Sequence, residues 1–553
     1  MKYDFCGIPP TGFNYQPPSS DNFVFFADPN FVPINLKNFF GSVVTVNSYY
    51  ECFYYGELGW STSGLTIFDV SLYAFIFLFL MAFFYFLQKK QESFLTFNKK
   101  FKTLMKSKNS IKLFTTIYLL IQIRIIFEYV KNKAINLRPF IDEYVSLSSN
   151  YHIFKELDFS AGGFLGDTFS VYLTSGPISA IGSIFGWSLF KNIYISRISN
   201  YFWIVFLLFI YFFIIKNKYK LKQNYFIFFI FQLILLVPWW QGGIYSLGEI
   251  PSLIFVSMAM LTFQKNRKLS LILFGVSIFL GKFLNIIIFV TFYATTLIID
   301  RSFKAVIKDV TIFVVALLPW FILINLTYQK GNIFTYFYDL YYFVTDSSAS
   351  GVQIDSIFNF SALKISILNS EYSSWNVYEK IRIGILPLIA LYLIIKNKIY
   401  INKIFGNISY PIVASILSIY LWFWILNPLK WMRYSQHFTV LSIILISSFV
   451  LFEVFSNKID YFFSFGLLTF YLDNTKKYFI YYLLVFFLIY LMSQKNFSKP
   501  VLIILMSFLI TFDISTSVFK QELQFIPDAT IQDCEIKFNT DICRESYFRS
   551  LNE

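Results

Sequence analysis

Apolar runs separated by short polar breaks recur along most of the chain. A run of about 20 such residues crosses the hydrocarbon core of a bilayer as a helix. The pattern predicts spans at Val70–Leu87, Ile111–Val130, Tyr201–Ile215, Asn224–Val237 and Pro251–Phe263. Ser270–Asp300 is too long for one crossing and predicts a hairpin that turns at Gly281-Lys282. Val310–Leu326, Ile383–Ile395, Ile408–Ile425 and Phe438–Phe455 continue the series. Tyr461–Leu472 is short, and Tyr478–Met492 and Val501–Phe512 complete it. Val171–Phe190 is apolar but interrupted by Gly, Ser and Pro, so it is expected to lie on the interface or dip into it rather than cross. The fold class expected is an all-α polytopic membrane protein with about 11–13 transmembrane helices and juxtamembrane helices in its first large loop.

Composition supports that class. The 553 residues are 56% hydrophobic and 14% charged, which a soluble chain could not bury. The formal charge of +14 is not spread as a nucleic-acid footprint. It gathers at Lys89–Lys112, Lys216–Lys222, Lys265–Lys268, Arg301–Lys308 and Lys396–Lys403, between apolar runs. That is the positive-inside pattern of cytoplasmic loops. If Val171–Phe190 and Tyr201–Ile215 both crossed, the Lys216 cluster would fall outside, so only the second is assigned a crossing. Residues 1–68, the loop 131–199, Trp239–Glu249, Gly281-Lys282, Thr327–Arg382 and Asn427–His437 are then extracytoplasmic.

Residues 1–22 are polar and Pro-rich, and insertion is expected to begin at Val70–Leu87. The organisation expected is an outer segment 1–68, a span with its basic linker 69–110, a core 111–455, further spans 456–518 and an outer tail 519–553. Cys6, Cys52, Cys534 and Cys543 all fall on the outer side, where disulfides persist. The simplest pairing is Cys6–Cys52 with Cys534–Cys543, and four free thiols is the alternative. His152 and His437 are the two histidines, too few for a His-built zinc site.

The densest candidate chemistry is in Asn136–Arg197, which gathers Asp142, Glu143, Asp158 and Asp167 ahead of a Ser175-Gly176-Pro177 turn. The order of a span, an Asp-Glu pair, this turn and a partly buried helix resembles the polytopic GT-C glycosyltransferase superfamily. The nearest likeness is to its protein mannosyltransferase-like and aminoarabinose transferase-like branches. Leu247–Leu253 (LGEIPSL) resembles an outer-loop Gly-Glu-Pro motif, Phe279–Phe283 (FLGKF) a Lys-bearing turn that faces the lipid donor, and Pro428–Phe438 (PLKWMRYSQHF) an Arg-Tyr motif opening a late span. The resemblance covers about residues 111–455. Residues 1–90 have no counterpart, and the His-Pro-Pro and Trp-Trp-Asp-Tyr-Gly signatures of two branches are absent.

The resemblance implies sugar transfer from a polyprenyl-phosphate lipid to a glycan, lipid or protein acceptor, on the outer face of the plasma membrane. Asp142 is then the candidate base for the acceptor hydroxyl and Glu143 its support. The competing role for Asp142 is a helix cap. Lys282, Arg433 and Arg197, each at a predicted outer turn, are candidates for the donor phosphate. Asp158, Asp167, Glu249 and Tyr434 are candidates for substrate contact. The resemblance fixes no cofactor, and Mg²⁺ or Mn²⁺ between carboxylates would suit their hard oxygens. Arg124 is expected to face the bundle interior and pair with Glu128. The aromatic loop that holds Tyr336, Tyr338, Tyr341, Tyr342 and Trp375 is expected either to cover the acceptor or to anchor at the interface. A lipid-linked-glycan transporter, or a polymerase or ligase, is the alternative class. The outer acids and the lack of an internal repeat favour the enzyme.

Overall fold

The computed structural model describes residues 33–38, 42–48, 51, 52, 54, 55, 124, 130, 175–179, 181–190, 193–219, 248–301, 303–327, 332–345, 382–427, 430, 432–452, 454 and 455, and a few between 460 and 468. The protein is an all-α polytopic membrane protein. The exception among the described residues is one antiparallel hairpin, β1 (Ile34–Lys37) and β2 (Val43–Val46), registered Ile34 to Val46. It belongs to a compact unit formed by residues 1–123, 374–378 and 474–491. Beside it Glu51 accepts a hydrogen bond from the Asn47 amide at 2.6 Å, and Cys52 is buried and disulfide-bonded.

The second unit holds the helices: α1 (Ile181–Phe190), α2 (Ile193–Tyr219), α3 (Glu249–Thr262), α4 (Arg267–Gly275), α5 (Asn285–Asp300), α6 (Val306–Thr327), α7 (Ile333–Thr345), α8 (Leu386–Lys396), α9 (Lys398–Phe405), α10 (Ser409–Leu421) and α11 (Met432–Leu451). Among the described residues Ile195–Tyr219, Phe303–Leu326, Ser409–Leu426 and Arg433–Leu451 are long and apolar enough to cross a membrane. Arg382–Lys396 and Lys398–Phe405 form a pair bent by 71°. Three sequence expectations change. Asn427–His437 is not all loop, because α11 begins at Met432. Arg197 is not at a turn but inside α2, with no exposed surface. Arg124 is exposed rather than interior.

Within the stretch expected to lie on the interface, Ile181–Phe190 forms α1, a helix of 10 residues packed on α2, and 171–174 lie outside the described residues. Gly182 and Gly186 make the close approach possible. A Cβ on Gly182 would sit 2.5 Å from the Ser199 carbonyl oxygen, and one on Gly186 2.7 Å from the Ser196 Cα. Ser196 donates to the Ser183 carbonyl at 2.8 Å, and the Trp203 indole donates to the Ile178 carbonyl at 3.1 Å. These contacts tie the segment before α1 to the start of α2. Deeper in the bundle the Tyr211 hydroxyl bonds Ser257 at 2.9 Å and Ser448 at 2.6 Å, joining α2, α3 and α11.

Among the described residues, the basic stretches at 216–219, 265–268, 301–308 and 396–403 lie at one end of this bundle, where two of their cations find carboxylates. Arg267 pairs with Asp309, which also accepts from Tyr293 at 2.8 Å. Gln264 donates to Asp300 at 3.0 Å, and Lys396 pairs with Asp460 at 2.6 Å. The opposite end is where α3, α5 and α11 begin.

Candidate functional site

At that opposite end the chain departs repeatedly from regular helix. Gly248 takes φ 88°, a left-handed conformation that glycine adopts without cost, and starts α3 with Glu249 in its first turn. After α4 the helix widens into a π segment, Val276–Gly281, closed by the Lys282 amide donating to the Ser277 carbonyl at 2.8 Å. A second π segment, Trp422–Leu426, ends the same way at Asn427, whose amide donates to the Trp422 carbonyl at 2.9 Å. Such widened turns recur at functional sites because they redirect side chains out of the helical register.

Lys282 is the hub. Its amine donates to the Ser175 hydroxyl at 2.5 Å and lies 3.5 Å from a Glu249 carboxylate oxygen. The backbones join too, with Ser175 bridged to Lys282 and the Gly176 amide donating to the Gly281 carbonyl at 2.7 Å. Glu249 is wholly buried, and neither of its carboxylate oxygens accepts a hydrogen bond. An ion pair at 3.5 Å without hydrogen bonds leaves a buried carboxylate under-satisfied, so it can still take donors from a ligand.

One turn on, the Asn285 amide nitrogen donates to the Ser277 carbonyl at 3.1 Å, and its oxygen faces Nδ1 of His437 at 3.1 Å. His437 brings in the first turns of α11, where Arg433 contacts its neighbour Tyr434, nitrogen to hydroxyl at 3.3 Å and guanidinium to ring at 5.1 Å. The Tyr434 ring also meets Trp422 edge-on at 6.0 Å. Gln436 is buried, and neither polar atom of its amide has a partner. On the flank, Phe279, Leu280 and Phe283 pack against Trp320, Ile324, Tyr336 and Leu340 of α6 and α7. Tyr336 is therefore core rather than an open stacking face, whereas Tyr338 and Tyr341 of the same helix are exposed.

Lys430 is a cation that motif reading passed over. It is buried in a left-handed turn at φ 48°, and its amine donates to the Asn427 carbonyl at 2.8 Å. Burial pushes it down to about 8, because desolvation disfavours the charged form. The ammonium is present below that pH and lost above it. Binding of an anion that Lys430 helps to hold is expected to fall about tenfold per pH unit above 8. Lys430→Arg, charged throughout, should flatten that limb in a titration of binding against pH, and an unchanged slope would assign it to another group.

Of the residues singled out in the sequence, Lys282 and Glu249 are in contact, and Arg433 and Tyr434 touch each other on the helix that His437 ties to the Lys282 turn. Arg197 lies buried in the second turn of α2. Asp142, Glu143, Asp158 and Asp167 lie outside the described residues. Asn285, Lys430, Gln436 and His437 were missed as site residues. The polar run Ser435-Gln436-His437 inside an apolar segment was the available signal. No group of three or more potential metal ligands occurs among the described residues.

Comparison with protein-family models gives no match, and neither does comparison with curated proteins. Among solved structures the chain resembles the apo crystal structure of ArnT from Cupriavidus metallidurans, at TM-score 0.38 and 11% identity, over 73% of this chain and 77% of that one.

Proposed function

We propose that the protein is a membrane glycosyltransferase. It moves a sugar from a polyprenyl-phosphate donor to an acceptor on the extracytoplasmic face of the plasma membrane. The observation that carries the reading is the meeting of separate motifs. The Ser175-Gly176-Pro177 turn, the Glu249 loop and the Lys282 turn, far apart in sequence, converge on one amine. Asn285, one turn beyond, links them to the helix of the Arg433-Tyr434 motif. Those are the stretches that the sequence resemblance picked out, and they lie at the end of the bundle away from the basic loops.

The roles follow from charge. As the bond from the sugar to the phosphate breaks, negative charge grows on the departing oxygen, and positioned cations stabilise it. Lys282 and Arg433 supply them here, with Lys430 added and Arg197 as a further candidate. Glu249, whose buried oxygens accept no hydrogen bond, is the candidate to take sugar hydroxyls, and Tyr434 flanks Arg433. Asp142, supported by Glu143, takes the proton of the attacking hydroxyl, with Asp158 and Asp167 in the same loop. The partners are a lipid-linked sugar and a glycan, lipid or protein acceptor.

The test is transfer of labelled sugar from total polyprenyl-phosphate lipids in membranes that hold wild type or Asp142→Asn at equal levels. Transfer in wild type with a fall of at least about a hundredfold in the variant is expected, within the range for loss of a general base. Equal transfer in both would remove Asp142 from the mechanism. No transfer in either, with lipid-linked sugar moved across the bilayer, would turn the reading to a transporter.

A further inference from the structure

The Asn285–His437 contact fixes more than packing. The Ser277 carbonyl can only accept, so the amide atom that faces it at 3.1 Å must be the nitrogen of Asn285. The atom that faces His437 is then the Asn285 oxygen, which cannot donate. The hydrogen in the 3.1 Å contact therefore sits on Nδ1 of the imidazole. A neutral ring with its proton on Nδ1 has a bare lone pair on Nε2. No described residue bonds that atom, and His437 keeps 1% exposure.

We infer that His437 offers Nε2 as the acceptor for a hydroxyl group of the ligand, with Asn285 as the residue that orients it. Lys282, Lys430 and Arg433 at this end are donors and nothing else. A phosphate dianion, which only accepts, is matched by those three and opposed by a lone pair. A hydroxyl has a proton to give, so it is matched by Nε2. The end thereby sorts a sugar-bearing phosphate from a bare one. The oxygens of the phosphate go to the cations and one hydroxyl goes to His437. This rests on the glycosyl-transfer reading and adds the recognition of the sugar to it. The hydroxyl belongs either to the donor sugar or to the acceptor.

The chain has two histidines, so a His152→Gln variant leaves His437 as the one imidazole that diethyl pyrocarbonate can acylate. The full-length variant in detergent is treated alone, with polyprenyl phosphate, with polyprenyl-phosphate hexose, and with a methyl hexoside, and acylation is followed by absorbance. Binding of each lipid is measured in parallel. Acylation of the free protein is expected. It should slow about tenfold with the sugar-bearing lipid or with the hexoside, and stay unchanged with polyprenyl phosphate. Protection by the sugar lipid alone assigns the hydroxyl to the donor, and protection by the hexoside assigns it to the acceptor.

In a second arm His437→Asn keeps a donor for the Asn285 oxygen and removes only Nε2. Its KM for the sugar lipid is expected to rise about tenfold at unchanged thermal stability, within the range for loss of one hydrogen bond. A silent His437→Asn, an unreactive free protein, or equal protection by both lipids would overturn the inference. So would lipids that bind and do not protect, an outcome that leaves the phosphate reading standing. Lipids that do not bind at all would remove that reading and this one with it.

Discussion

Lys282→Met is expected to lose both stability and sugar transfer, and adding Glu249→Gln is expected to restore only the first. Glu249 is fully buried, Lys282 lies 3.5 Å from it, and its oxygens accept no hydrogen bond. Removing the amine leaves an uncompensated buried carboxylate, a loss of about 3–5 kcal/mol. Glutamine at 249 takes that charge away, so the double variant should unfold near the wild-type temperature in detergent. Transfer should still be down by about 10²–10³-fold in both, the scale seen when one positioned donor to developing negative charge is removed. A double variant that regains wild-type transfer would make Lys282 only a counter-ion for Glu249, with its place at the turn explained by reach to the interface.

Gly176→Ala is expected to reduce transfer by a similar factor, although residue 176 has no chemistry of its own. Its Cβ would lie 2.3 Å from the Leu280 carbonyl carbon and 2.4 Å from the Leu280 Cα. Those are main-chain atoms and cannot rotate aside. The strand-like pairing of 175–176 with 281–282 must open, which takes the Ser175 hydroxyl from Lys282 and breaks the 2.7 Å bond from the Gly176 amide to Gly281. Crowding of this kind costs about 1–3 kcal/mol in stability. Two controls separate place from side chain. Ser175→Ala loses one hydrogen bond, about 1 kcal/mol, and keeps the pairing. Gly384→Ala meets nothing within 4 Å and should be silent. Normal transfer by Gly176→Ala would mean that the Ser175 pairing does not set the position of Lys282.

The helical membrane class and several of the described apolar helices were legible in the sequence, since a bilayer demands length and apolarity of any helix that crosses it. Pro251–Phe263, Ile408–Ile425 and the turn at Gly281-Lys282 lie within a few residues of α3, α10 with its π segment, and the break after α4. Lys282 and Glu249 could each be picked out as a charge at an apolar boundary. Their pairing could not, because nothing local says which of several turns will share an end of the bundle. His437 read as an isolated residue in a loop, and became a site residue only when α11 started five residues earlier and turned it toward Asn285. Tyr336 and Tyr338 are alike in the sequence, and packing on Trp320 buried one and left the other exposed.

What the sequence by itself determined, then, is a helical membrane protein whose described basic stretches lie at the end of the bundle away from Glu249 and Lys282. That much follows from hydrophobicity and charge, which act residue by residue. What only the tertiary structure decided is the meeting of Ser175, Glu249, Lys282, Asn285 and His437. Hydrogen bonds and ion pairs act over about 3–4 Å, and that proximity is set by how the helices pack rather than by any one segment.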